Sequence, residues 1–204
     1  MIGSCTNVLP FRTFALILPH LDWVPYQNLK HIAKKVETLM SNLSSKILMP
    51  EHAEVWQALR LEGVRDFPLG FLVTLEEAAS ASPDRCREIL GSRNIRGVFE
   101  GEKLVGFCGY RQQELTRVRH RGDIGPFFVT QSHQGSGAAK VLMAGVIKEA
   151  KDSGVSQLEL FVDTENQRAI AFYKRQGFEL VATHSDSIRI DGQSQNDYFL
   201  TLRI

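Results

Sequence analysis

The chain has 204 residues, 43% hydrophobic and 23% charged, with a formal net charge of +1 at pH 7. Such a length buries a substantial core without crosslinks, and a near-zero charge excludes the strong positive field of a general nucleic-acid binder. Cys5, Cys86 and Cys108 have neither disulfide-framework nor metal-ligand spacing, so a reducing, cytoplasmic setting and no metal are expected.

In chain order, the apolar run Phe14–Leu18 is cut by Pro19, too short for a membrane span or a signal-peptide core, so no membrane partner is expected. Residues 26–43 carry Leu29, Ile32, Ala33, Val36 and Leu43 at helical spacing, with Lys30, Lys34 and Lys35 between. That pattern predicts an amphipathic helix within an N-terminal extension, 1–43, which packs on the main domain, forms a homodimer contact or rests on a membrane surface. The main domain is predicted over 44–204. A short strand is expected at Lys46–Met49, then a helix opened by Pro50, buried along Val55, Ala58 and Leu59 and stopped at Gly63. Thr74 with Glu77 reads as a capping box, and Ser82-Pro83 as the cap and first turn of a helix ending at Gly91. Arg96–Glu100 and Lys103–Arg111 read as a hairpin about Gly101. A long strand is expected from 114 to 129, broken at Gly125-Pro126, where proline implies a bulge or splayed edge. Arg111, Arg117, Arg119 and Arg121 alternate along it as a solvated face. A helix with Ala138, Val141, Leu142 and Gly145 inward follows, then a strand at Leu158, Leu160 and Val162 and a helix over 167–176. Strands Phe178–Thr183 and Tyr198–Ile204 close the chain. The fold class is α+β, one mixed sheet with helices on both faces.

Chemistry concentrates in two segments. Gln134-Gly135-Ser136-Gly137-Ala138-Ala139 is a glycine-rich turn into a helix, where unpaired backbone amides and the positive end of the helix dipole converge, as a phosphate requires. Lys140 follows, but the Gly-x4-Gly-Lys-Ser/Thr spacing of a P-loop is absent. The second segment is Asn166 with Ala169-Ile170-Ala171-Phe172-Tyr173-Lys174-Arg175-Gln176-Gly177-Phe178, which places an amide and a phenol at a fixed distance from the turn. Asn166 also suits a helix N-cap, and Tyr173 also suits a buried packing tyrosine.

On these residues, 45–204 resembles the Gcn5-related N-acetyltransferase (GNAT) superfamily. The resemblance implies a mostly antiparallel sheet splayed at the bulged strand, and transfer of an acetyl group from acetyl-CoA to a primary amine by direct attack. It implies that Gln134, Gly135, Ser136, Gly137, Ala138 and Ala139 wrap the coenzyme A pyrophosphate, with Gln134 in place of the commoner arginine and bringing no charge. Backbone groups of Phe127, Phe128 and Val129 would hold the pantetheine arm, an amide near Phe128 or Val129 would polarise the thioester carbonyl, and Asn166 would bind pantetheine or orient the phenol. Tyr173 would protonate the departing thiolate, and Asp123, His120 or a water would serve as base. The acceptor would be a small amine, an amino acid or a peptide N-terminus. Its pocket would be built from the connection at about 60–80 and a segment at about 184–197, where Glu62, Asp66, Asp186, Asp191 and Asp197 lie. A non-catalytic acyl-CoA-binding module is the rival reading.

Overall fold

The computed structural model describes residues 42–204, so the expected helix at 26–43 and its uses lie outside the described residues, apart from Leu43. Leu43 opens a strand instead of ending a helix. Twelve regular elements follow: β1 (Leu43–Ile47), α1 (Ala53–Asp66), α2 (Leu75–Ala79), α3 (Pro83–Gly91), β2 (Ile95–Glu100), β3 (Lys103–Gln112), β4 (Arg121–Val129), α4 (Ala138–Asp152), β5 (Gln157–Asp163), α5 (Gln167–Arg175), β6 (Glu179–Ile190) and β7 (Gln193–Arg203). The seven strands form one sheet in the order β1-β2-β3-β4-β5-β7-β6. All neighbours run antiparallel except β4 and β5.

Helices cover both faces. On one, Leu142, Met143 and Val146 of α4 and Ile170 and Tyr173 of α5 bury Val98, Val105, Ile124, Leu158 and Leu160. On the other, Trp56 and Leu59 of α1 and Cys86 and Leu90 of α3 pack on Phe99, Phe107 and Phe128. Each such fully buried side chain contributes roughly 1.5–3 kcal/mol. Three helix starts are set locally. Thr74 Oγ1 accepts from Glu77 N–H at 3.1 Å while Glu77 Oε2 accepts from Thr74 N–H at 2.8 Å, Ser82 Oγ accepts from Arg85 N–H at 3.2 Å, and Asn166 Oδ1 accepts from Ala169 N–H at 3.1 Å.

Several expectations are corrected. Pro50 opens a short 3-10 turn, and α1 begins only at Ala53. That helix runs through Gly63, which is a point of close packing: a Cβ there would sit 2.6 Å from the Phe71 ring and 3.1 Å from that of Phe128. Its buried stripe is Ala53, Trp56, Leu59, Gly63 and Val64, leaving Val55 and Ala58 exposed. Residues 115–120 form bends and turns, so the arginines do not share one strand face. The last two strands are longer than expected and form a hairpin about Asp191-Gly192, whose φ values of 50° and 78° are those of a type I′ turn. The segment at 184–197 is therefore mostly strand.

Candidate active site

The site begins where two parallel strands part. β4 and β5 pair only at Arg121 with Gln157, Gly122 with Leu158 and Asp123 with Glu159. Beyond Asp123, β4 still pairs with β3, through Phe127, Phe128 and Val129 opposite Cys108, Phe107 and Gly106. Its other edge meets no strand among the described residues. A register shift between Cys108 and Tyr110 marks a bulge there. Gly109 permits it, because a Cβ would lie 2.1 Å from the Gly125 carbonyl oxygen, and Gly125 itself has φ +145°.

The splay opens a cavity of about 460 Å³. Its walls include Ile124–Phe127 of β4, Phe161–Asp163 of β5, Asn166 and Tyr173 around α5, Trp56 and Arg60 of α1, the 69–73 loop and Asp197 of β7. Tyr173 is 7% exposed, and its ring meets Phe127 and Phe178 edge-on at 6.2 and 5.5 Å. Burial, and then the neighbouring Cys108, push its phenol well above the usual tyrosine value, so it enters any reaction protonated.

At the turn before α4, Gly135 and Gly137 take φ of 82° and 95°, and Gly137 caps the helix. The amides of Gly135, Gly137, Ala139 and Lys140 have no acceptor among the described residues. Ser136 shapes the turn: its Oγ donates to the His133 carbonyl at 2.7 Å and accepts from Ala138 N–H at 3.3 Å. Gln134 Nε2 donates to the Val129 carbonyl at 3.2 Å, and its Oε1 accepts from Arg168 of α5. Gln134 thereby ties the turn to the open edge of β4 and brings a guanidinium to the cradle. The sequence reading passed over Arg168, whose signal was its place one turn before Phe172.

Phe128 faces the α1 side of the core and Val129 the α4 side, so their exposed chemistry is main-chain. Phe127 packs at 5.4 Å on Phe172 and lines the cavity. Asp123 does not line it: its Oδ2 accepts from Gln113 Nε2 at 2.6 Å and from Arg111 at 3.4 Å. His120 ends the preceding turn, where its carbonyl accepts from Ser156 and Gln157. Among the five acids expected at the acceptor pocket, Asp197 alone lines the cavity. Glu62 accepts from Thr130, Asp66 pairs with Arg65, Asp186 pairs with Arg189, and Asp191 sits in the hairpin turn. Asp163, Trp56 and Arg60 are cavity residues that the sequence reading did not select. Among the described residues no group of three or more His, Cys, Asp or Glu side chains could hold a metal ion, and no helix is long and apolar enough to cross a membrane.

Residues 53–178 match the acetyltransferase (GNAT) family. The chain belongs to that family. A mycothiol acetyltransferase from Propionibacterium freudenreichii is 28% identical over 148 residues, 66% of this chain and 47% of that protein. The chain spans about half the length of the curated relatives it matches first. Among solved structures, a GNAT-family acetyltransferase from Streptococcus pneumoniae aligns with a TM-score of 0.66 and 20% identity over 79% of this chain and 99% of that one. A Salmonella typhimurium protein described as an acetyltransferase, and solved with its cofactor acetyl-CoA, aligns with a TM-score of 0.68 and 14% identity over 79% and 94%. These likenesses establish a GNAT fold, mixed α+β with a mostly antiparallel sheet, and the splayed β4–β5 pair is where this GNAT chain opens its cavity.

Proposed function

We propose that the chain transfers an acetyl group from acetyl-CoA, its acyl donor, to a primary amine by direct attack, and that residues 44–204 form the transferase domain. The observation that carries the reading is the combination of three features: amides at the turn before α4 and a β4 edge over 127–129 that are both unpaired among the described residues, and Tyr173 lining the cavity. The diphosphate would take the amides of Gly135, Gly137, Ala139 and Lys140, with Arg168 supplying the charge that Gln134 lacks. The pantetheine arm would run along β4 as an added strand, beside Asn166. An amide near Phe128 or Val129 stabilises the oxyanion as the amine attacks the carbonyl carbon, and Tyr173 protonates the departing thiolate. The desolvation that raises the phenol also raises a buried thiolate, so the transfer stays matched. Neither Asp123 nor His120 lines the cavity, so either would act on the amine through water.

Calorimetric titration with acetyl-CoA, together with thiol release over a panel of small amines, amino acids and peptides, tests the proposal. Gly137→Val should abolish the binding heat, because a β-branched residue is strained at φ +95° and crowds the amides. Tyr173→Phe should keep acetyl-CoA affinity and lower kcat by about a hundredfold or more. Absence of binding heat with the wild type would overturn the reading, and binding without turnover on any acceptor would instead establish an acyl-CoA-binding module.

A further inference from the structure

Two carboxylates in the cavity have no part in the chemistry above. Asp163 at the end of β5 and Asp197 on β7 are register partners, only 2% and 8% exposed, and both line the cavity that Tyr173 lines. Cross-strand partners hold their Cβ atoms about 5 Å apart, and like charges placed there repel. Asp163 Oδ1 accepts from Glu165 N–H at 2.7 Å, but its Oδ2 is buried without a partner among the described residues. No ion pair among the described residues reaches either carboxylate. A buried carboxylate oxygen left this way is costly unless a water, a proton or a ligand cation meets it, and a cationic ligand entering the cavity supplies the charge as well as the hydrogen bond.

The wall from α1 is the counterpart. Trp56 and Arg60 lie one helical turn apart and both line the cavity. Trp56 Nε1–H is buried with no acceptor among the described residues, and the Arg60 guanidinium rests 5.4 Å from the Trp56 ring centroid with no carboxylate partner among them. Donors from α1 and acceptors from β5 and β7 line one cavity together with apolar side chains such as Phe71 and Ile188, a lining that suits a zwitterion carrying an apolar side chain.

Resting on the acetyl-transfer reading, we infer that the acceptor is an apolar α-amino acid, its ammonium held by Asp163 and Asp197 and its carboxylate by Arg60 and Trp56, with Asp197 as the base. The ammonium gives one proton to the Asp197 carboxylate, and the nitrogen lone pair forms the C–N bond. As the C–S bond breaks, Tyr173 gives its proton to the sulfur and is reprotonated by the second excess proton of the new amide nitrogen. The products are the N-acetyl amino acid, free coenzyme A thiol and the proton on Asp197, which passes to solvent. Burial pushes the Asp197 carboxyl up and the charge of Asp163 adds to this, while Ser187 and His184 from β6 pull the other way. Arg60 from α1 and Tyr173 from α5 are the other charged or titratable side chains that line the cavity. A raised carboxylate is the stronger base.

The test is thiol release from acetyl-CoA with L-phenylalanine, L-leucine, L-methionine and L-tryptophan, and with 2-phenylethylamine as the analogue lacking a carboxylate. At least one amino acid should be acetylated. Asp163→Asn should raise its KM by about tenfold or more while the KM for acetyl-CoA is unchanged. Asp197→Asn should lower kcat and erase the acidic limb of the pH profile, with partial rescue by Asp197→Glu. Arg60→Ala should raise KM for the amino acid and leave that of 2-phenylethylamine unchanged. Retention of the acetyl-CoA-induced rise in Tm shows that each variant is folded. If acetyl-CoA stabilises the wild type but none of the four amino acids is acetylated, the inference alone falls. It also falls if both asparagine variants keep wild-type KM and kcat. Loss of acetyl-CoA stabilisation in the wild type removes the underlying reading as well.

Discussion

Arg96 shows how much a single side chain decides in this fold. It stands in β2 at 5% exposure, with its guanidinium 4.9 Å from the Tyr110 ring centroid, and donates to the carbonyls of Arg93 at 2.7 Å and Tyr110 at 3.0 Å. Its remaining donors fork onto the Glu149 carboxylate of α4, one of them at 2.8 Å. The pair fastens α4, and with it the cradle at its far end, to the sheet. Glu149→Ala leaves a buried cation short of its partner and should cost about 2–3 kcal/mol in urea unfolding. The double change Arg96→Met with Glu149→Leu should cost less than the single change, because no charge is then stranded. In the sequence Arg96 was only the first residue of a hairpin strand, since a charged residue shows its burial only through a distant partner. The same applies to Asp163: strand alternation places it opposite Val162, but only the register with β7 sets it beside Asp197.

At the scale of elements, the splay of β4 from β5 is built by small residues, not by a loop. Gly109 and Gly125 approach so closely that alanine at 109 drives a methyl into a backbone carbonyl. Gly109→Ala should therefore destabilise by about 1–3 kcal/mol. Because the bulge also sets the free edge over 127–129, the variant should bind acetyl-CoA more weakly in calorimetry than its loss of stability explains. The Gly125-Pro126 signal announced this irregularity from the sequence, and the cradle glycines announced the turn before α4. Asp191-Gly192 is an equally strong hairpin signal in the sequence, and the 184–197 segment that the family resemblance assigns to the acceptor pocket is mostly strand on either side of it. The turn residues were legible, whereas the length of the strands they join depends on cross-strand pairing from Glu179 to Arg203.

For the molecule as a whole, two buried carboxylates give stability opposite pH dependences. Burial, reinforced by Asp163 and opposed by Ser187 and His184, holds the folded pKa of Asp197 above its unfolded value. Its contribution is fully present below the ordinary aspartate pKa of about 3.9 and is lost as pH rises through the folded value. Burial also pushes Glu159 up, but its bonds from Arg121 and Gln157 outweigh that and leave its pKa lowered. Its contribution is present above the ordinary glutamate pKa of about 4.3 and is lost as pH falls through the folded value. Asp197→Asn should consequently be more stable than the wild type at pH 8, with the difference shrinking as pH falls toward 4. Paired urea titrations across that range measure it, and a variant less stable than the wild type at pH 8 would contradict the assignment.

What the chain alone determined was everything set by near neighbours in sequence. The caps at Thr74, Ser82 and Asn166, the glycine turn into α4, the alternation of Leu158, Leu160 and Val162, and the α+β class all follow from interactions spanning a few residues. What only the tertiary structure decided was the company each side chain keeps. Trp56 and Arg60 come from a helix before β2, Asp163 from β5 and Asp197 from β7, and they share one cavity because β4 and β5 separate after Asp123 while β5 and β7 stay in register. Strand register and the covering of a sheet face are collective outcomes of burial over the whole core, so no local spacing in the sequence encodes them.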